Sequence, residues 1–198
     1  MVLDFYFDFS SPYGYLMAEM IEEVAQRHHA TVVWRPFLLG AVYQKTGDKP
    51  LPAHPLKGPY MQRDFARSAR FYGIPFRLPD PFPVSTHLAA RAFYALNDGS
   101  SETAKRWAIA VYRAYFRDGR NIADAETLTA IAHELGLDAD ALGAAMQSPE
   151  EKARLRAECD AAIERGVFGS PMVWINDEPF WGVDRLPQIE RWLAEGPF

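Results

Sequence analysis

The sequence predicts an α/β fold with a helix-rich centre. Three observations carry that expectation: an apolar N-terminal run that stops at a Ser-Ser-Pro turn and becomes helical, a long middle stretch with helical periodicity, and strand character that returns only after Pro171.

Val2-Leu3-Asp4-Phe5-Tyr6-Phe7-Asp8-Phe9 reads as a strand, and Ser10-Ser11-Pro12-Tyr13-Gly14-Tyr15-Leu16 as its passage into a helix. The strand thus delivers a serine to a helix N-terminus. Unpaired N–H groups and the positive end of the helix dipole gather there, so an anion is stabilised at that point. Ser is also a favoured N-cap and Pro a favoured first helical residue, so Ser11-Pro12 has a purely structural reading as well. The spacing of Leu16, Met17, Met20, Ile21, Val24 and Ala25 predicts one amphipathic helix, ending near Gln26-Arg27-His28-His29. A strand over 31–37 follows, completing a strand-helix-strand crossover unit.

Residues 38–59, rich in Pro and Gly and including Thr46-Gly47-Asp48-Lys49-Pro50, predict a long loop of the kind that shapes binding sites. Helical periodicity then covers 60–72, 85–96, 103–116, 125–135, 139–146 and 150–165. Asp124, Asp138 and Ser148-Pro149 mark starts, and Gly73, Gly136 and Gly166 mark stops. Phe168-Gly169-Ser170-Pro171 leads into a strand at 172–175, with a cis bond expected before Pro171. A turn at 176–178, strand character at 179–181 and a last helix over 185–193, with Asp184 as its N-cap, close the chain.

A chain of 198 residues with 48% apolar composition supports one core, so a single domain over 1–198 is expected. A net charge of −5 without Lys/Arg clusters argues against nucleic acid and anionic membranes, leaving a small organic molecule as the expected partner. Cys159 is the one cysteine, so an internal disulfide or a cysteine-rich zinc site cannot form. Its surroundings read as a helix interior, where such a residue acts as a small hydrophobe. His28, His29, His54, His87 and His133 lack the i, i+4 spacing of a helical metal site, so no metal is expected. Gly-x-Gly-x-x-Gly, P-loop and nucleophile-elbow patterns are missing too. Asp4 and Asp8 stand where a secretory signal needs basic residues, and no apolar run reaches 18 residues, so a cytoplasmic protein is expected.

Together, the opening strand, the Ser-Pro-aromatic turn, the Phe168-Gly169-Ser170-Pro171 loop and the Phe180-Trp181-Gly182-Val183-Asp184-Arg185-Leu186 tail resemble the 2-hydroxychromene-2-carboxylate isomerase family. That family is DsbA-like and related to kappa-class glutathione transferases. The resemblance implies a thioredoxin-like (DsbA-type) core at 1–58 and 166–198 with a large helical insertion at 59–165. Ser11-Pro12-Tyr13-Gly14 then stands where redox relatives carry Cys-x-x-Cys, and Ser170-Pro171 stands in the cis-proline loop facing it.

The resemblance further implies glutathione as cofactor, with its sulfur beside the catalytic Ser11 and its backbone and γ-glutamyl end held by Ser170, Trp181, Gly182, Val183 and Asp184. A serine cannot carry out disulfide exchange, which needs a thiolate. It can donate a hydrogen bond to a foreign thiolate and, with the helix dipole, lower that thiol's pKa. Ser10 is then left to the turn. The implied reaction interconverts 2-hydroxychromene-2-carboxylate and trans-o-hydroxybenzylidenepyruvate in aromatic catabolism. Lys45, Asp48, Lys49 and Ser85 are the candidate substrate contacts, with Arg35 as a further cation. Asp48 and Ser85 stand where the family commonly has asparagine. A homodimer, a kappa-like transferase activity and a non-catalytic thiol-peptide-binding role are the other readings the resemblance leaves open.

Overall fold

The computed structural model describes residues 1–50, 52 and 54–198. The β-rich runs at the two ends of the chain meet in one sheet of four strands, β1 (Val2–Phe7), β2 (Thr31–Pro36), β3 (Met172–Ile175) and β4 (Glu178–Trp181), in the order β2-β1-β3-β4. β1 runs parallel to β2 and antiparallel to β3, and β3 and β4 form an antiparallel hairpin. This is the thioredoxin-like arrangement.

Alternation along β1 decides its two faces. Leu3, Phe5 and Phe7 are fully buried on one side, where Phe5 and Phe7 pack edge-on against Trp34 at 5.0 and 5.4 Å. Asp4 lies on the other side, its carboxylate held by Arg35 at 2.7 Å and Arg165 at 2.6 Å. Arg35, a candidate substrate cation by sequence, is therefore committed to the sheet.

The single helix predicted between β1 and β2 is two helices, α1 (Pro12–Ala18) and α2 (Ile21–Arg27). The break falls at Glu19-Met20, where both carboxylate oxygens of Glu19 engage Arg113 at 2.7 Å. The apolar spacing runs through the break unchanged, so periodicity could not reveal it.

The predicted loop 38–59 also needs correction. Leu39–Thr46 form a helix, α3, closed by Gly47 in the left-handed region (φ 79°), and α4 (Lys57–Tyr72) begins before residue 60. Residues 51 and 53 of that expected loop lie outside the described residues. The helical block thus starts at Leu39 rather than at residue 59. It continues through α5 (His87–Gly99), α6 (Ser101–Phe116), α7 (Ala125–Glu134), α8 (Ala139–Gln147) and α9 (Pro149–Glu164). Asp138 and Ser148 cap α8 and α9 through their side chains at 3.0 and 3.1 Å, whereas Asp124 precedes α7 without a side-chain cap. Asp184 does not cap the last helix. It sits in a 3-10 turn, Val183–Arg185, and α10 (Leu186–Glu195) follows directly.

Insertion and sheet share one core. Tyr112 of α6 is fully buried and packs on Phe7, Phe9 and Tyr15 with ring centroids 5.3 to 5.9 Å apart. Cys159 is buried in α9, and burial pushes its thiol up to about 11. The Ser170–Pro171 bond is cis, as expected, and Asp80–Pro81 and Phe82–Pro83 are cis as well. Among the described residues no helix is long and apolar enough to cross a membrane.

Burial alone would raise the Asp4 carboxyl, but the hydrogen bonds and charges of Arg165 and Arg35 outweigh it and hold the carboxyl below its ordinary value. A lowered folded pKa contributes stability that is present above 3.8 and lost as pH falls through the folded value. Asp4→Asn should therefore cost about 2 kcal/mol at neutral pH, the scale of hydrogen bonds to a charged group. Urea unfolding should show the deficit disappearing in acid; a deficit independent of pH would contradict the ion-pair account.

Candidate functional site

The turn after β1, helices α3 and α4, the segment before α5, the cis-proline loop and the β4–α10 turn enclose a cleft of about 1300 Å³. Its floor is organised by Asp8, which is 3% exposed. Asp8 Oδ1 accepts the Ser10 N–H at 2.8 Å, the Ser10 hydroxyl at 2.9 Å and the Thr86 hydroxyl at 3.0 Å; Oδ2 accepts the Leu39 N–H at 2.8 Å. Its backbone N–H donates to Ser170 Oγ at 3.0 Å, and its carbonyl accepts the Tyr112 hydroxyl and the Ser11 N–H, both at 2.9 Å. Burial pushes the Asp8 carboxyl up, against the opposing pull of the Ser10, Leu39 and Thr86 hydrogen bonds.

Ser11 has the local geometry of an N-cap, and more. Its Oγ accepts the Gly14 N–H at 3.0 Å and donates to the Ser170 carbonyl at 2.9 Å, which ties the helix start to the cis-proline loop. Gly14 is required between them, since a Cβ there would lie 2.7 Å from the Tyr112 hydroxyl and 3.0 Å from Ser170 Oγ. Ser10 serves Asp8, as the sequence reading expects of a turn residue.

The opposite wall begins at Trp181, half exposed and edge-on to Phe168 at 5.0 Å. Gly182 takes φ 106°, a conformation L side chains rarely adopt, and its N–H donates to the Pro171 carbonyl at 3.0 Å. Val183 is buried with its carbonyl facing the Tyr72 hydroxyl at 3.4 Å, and Asp184 pairs with Arg185 at 2.5 Å.

Ser11, Ser170, Trp181, Gly182, Val183 and Asp184 thus line one cleft together with Asp48, Lys49 and Ser85. Lys45 is exposed in the last turn of α3 and is not on the cleft wall, and Arg35 is held by Asp4. Sequence reasoning missed Asp8, Tyr13, Asp64, Thr86, Arg67 and Arg185 as lining residues. The Tyr13 hydroxyl donates to Asp64, which also receives Arg67, and burial followed by Asp64 keeps Tyr13 protonated well above its ordinary pKa. A charged residue inside an aromatic strand was the available signal for Asp8. Tyr13 stands inside the motif itself, and Asp64 and Arg67 show the i, i+3 spacing of a paired helix face.

Chemically, the cleft offers a hydroxyl at a helix N-terminus and cations and carboxylates around its rim, but no cysteine on its wall. No cluster of metal-ligating residues occurs among the described residues.

A DSBA-like thioredoxin domain profile matches residues 2–194. The chain belongs to the DsbA-like thioredoxin family. It is 32% identical to a 2-hydroxychromene-2-carboxylate isomerase of Sphingobium xenophagum, covering 98% of both chains. It is also 31% identical to glutathione S-transferase kappa 2 of Caenorhabditis elegans, covering all of this chain and 93% of the relative. The solved structure of a 2-hydroxychromene-2-carboxylate isomerase superposes with a TM-score of 0.89 at 30% identity, over 98% of this chain and 95% of that one. The chain therefore stands with the isomerase and kappa-transferase members of the DsbA-like family, whose relatives here are named as enzymes.

Asp8→Asn keeps one oxygen acceptor and sets an amide against the Leu39 N–H, at a cost of about 2 kcal/mol. A raised folded pKa contributes stability that is present below 3.8 and lost as pH rises through the folded value. The deficit of Asp8→Asn should therefore be largest in acid and shrink as pH rises, the reverse of Asp4→Asn. Urea titrations across pH check this, and a deficit that grows with pH would refute it.

Proposed function

We propose that this protein binds glutathione in the cleft, with the sulfur beside Ser11, and isomerises 2-hydroxychromene-2-carboxylate to trans-o-hydroxybenzylidenepyruvate in aromatic catabolism. The observation that carries the reading is the Ser11 hydroxyl, set at a helix N-terminus against the cis-proline loop, in a cleft that contains no thiol of its own. The full-length relatives named as isomerases support it.

The residues fit the cofactor. Ser170 has an N–H with no partner among the described residues, and its carbonyl is held only by the Ser11 hydroxyl. When the Ser11 proton turns to a sulfur, that carbonyl becomes free to accept a peptide N–H, so Ser170 can pair with an extended peptide as a strand does. Asp184 at the Gly182-Val183 turn suits an ammonium, and Lys49, Arg67 and Arg185 supply three cations for carboxylates. Ligand pockets usually span about 300–1,000 Å³. This cleft exceeds that range at about 1300 Å³ and so has room for a tripeptide and a bicyclic acid together.

Bound glutathione supplies a thiolate whose reversible addition to a conjugated carbon removes the double bond long enough for rotation. The chain's own part is to lower the thiol pKa. The Ser11 hydroxyl donates to the developing charge and the α1 dipole favours it. Phe168, Trp181, Phe82 and Val84 give the substrate ring an apolar wall.

The test follows substrate absorbance with and without glutathione while titrating free thiol. Turnover should require glutathione, leave the thiol undiminished and rise with pH through the bound thiol's pKa, because only the thiolate attacks. Ser11→Ala should lower kcat about 100-fold, the scale for losing one donor to a developing anion, and change glutathione affinity far less. Ser10→Ala should act mainly on stability. A rate independent of glutathione would sink the reading, and thiol loss matching substrate conversion would establish a kappa-like transferase instead.

A further inference from the structure

Ser85 and His87 flank Thr86, and Thr86 is the fixed point of the three. It is buried, with its hydroxyl anchored on Asp8 at 3.0 Å. Ser85 lies on the cleft wall, and its Oγ is 2.7 Å from Nδ1 of His87, the first residue of α5. The imidazole does not line the cleft, so it can reach a ligand only through the serine. Among the described residues, this is the pair that joins a cleft-wall hydroxyl to an imidazole.

The surroundings of His87 favour its neutral form. Partial burial comes first, then the charges of Arg91, one turn further along α5, and Lys152 of α9; together they hold the imidazole below 6.5. Its position at a helix N-terminus acts in the same direction. A neutral ring with its proton on Nε2 presents the Nδ1 lone pair to the Ser85 hydroxyl.

We propose that Ser85 and His87 form a proton relay that opens the hemiketal ring of the substrate, Ser85 touching the substrate and His87 acting through it. The proposal rests on the substrate assigned under the proposed function. In 2-hydroxychromene-2-carboxylate, carbon 2 carries both a hydroxyl and the ring oxygen. Ser85 takes the proton of that hydroxyl as its own proton passes to Nδ1. The bond between carbon 2 and the ring oxygen breaks, its electron pair stays on the oxygen, and the former hydroxyl becomes a carbonyl. The imidazolium returns its proton through Ser85 to the phenolate. One C–O bond is lost, one C=O bond is gained, and no proton or electron is consumed. The open-chain enone is then ready for rotation about its double bond, the separate step that needs a thiolate.

Because ring opening needs no thiol, the test uses the full chain without glutathione. Stopped-flow absorbance should show wild-type protein accelerating ring opening of 2-hydroxychromene-2-carboxylate over buffer. Ser85→Ala and His87→Gln should each lose about 100-fold, the lower range for general acid–base catalysis. His87→Asn keeps a neutral hydrogen-bonding group near the Nδ1 position but cannot titrate, so it should stay slow; full activity would show that the contact is structural only. Imidazole NMR should place the His87 midpoint below 6.5, and the wild-type rate should fall as pH drops through that midpoint. That acid limb should vanish in His87→Gln. Wild-type protein without effect on ring opening, an unimpaired Ser85→Ala or His87→Gln, or a persistent acid limb would each overturn the relay. Calorimetric titration with glutathione on the same proteins separates the two claims, since failure to bind it would defeat the cofactor reading and leave the relay measurement intact.

Discussion

The Asp8 carboxylate is the interaction on which the rest of the cleft depends. A buried carboxylate without a cation beside it costs several kcal/mol of desolvation, and four hydrogen bonds to the two oxygens offset this only in part. Their donors come from three places in the chain: the turn after β1, the start of α3 and the segment before α5. Asp8 thus fixes the sheet to the helical insertion at the point where the cleft opens. Its backbone extends the same control to the cis-proline loop, through Ser170 Oγ, and to α6, through Tyr112. Ser11 and Ser170 can face each other at 2.9 Å because both are referenced to one residue.

That constraint holds the helix start against the cis-proline loop in a thioredoxin-like scaffold whose turn carries serine rather than cysteine. The helix N-terminus, the facing cis-proline loop and the glycine that lets them approach are properties of backbone and packing. With serine in place of cysteine, the same geometry can no longer exchange disulfides, and under the proposed function its hydroxyl donates to a sulfur anion brought by a ligand. The core supplies that end of the cleft. The opposite end is built by α3, α4 and the segment before α5, so the helical insertion shapes the rest of the cleft.

The sequence carried the parts of this site that are written locally. Ser11-Pro12 at a strand–helix junction, Ser170-Pro171 before a short strand and the Trp181-Gly182-Val183-Asp184 turn are each defined by neighbours within a few residues, and all of these except Pro171 line the cleft. Contacts made across the chain were illegible. Thr86 is 78 residues from Asp8, and Asp64 is 51 from Tyr13, so neither pairing leaves a local pattern. The lysines show the same limit. Reading 38–59 as a loop gives Lys45 and Lys49 equal standing, whereas α3 and its stop at Gly47 leave Lys45 off the wall and Lys49 on it. The break at Glu19-Met20 was hidden for a related reason: its holding partner, Arg113, lies 94 residues away.

Floor and rim of the cleft are held by interactions of different strength, and the difference matches their tasks. Floor contacts to Asp8 are buried or half-buried hydrogen bonds whose loss leaves donors unpaired, so each is costly to break. On the rim, Arg185 and Asp184 are paired in an exposed setting, where solvent screening leaves such a pair little net strength, whereas Asp64 is half-buried and holds Tyr13 as well as Arg67. An arriving carboxylate can therefore exchange with Asp184 at small cost, while Lys49 forms no ion pair among the described residues and can meet an anion directly. Geometry at the Ser11 end of the cleft is thus fixed by the fold, and the exposed rim pair is open to exchange.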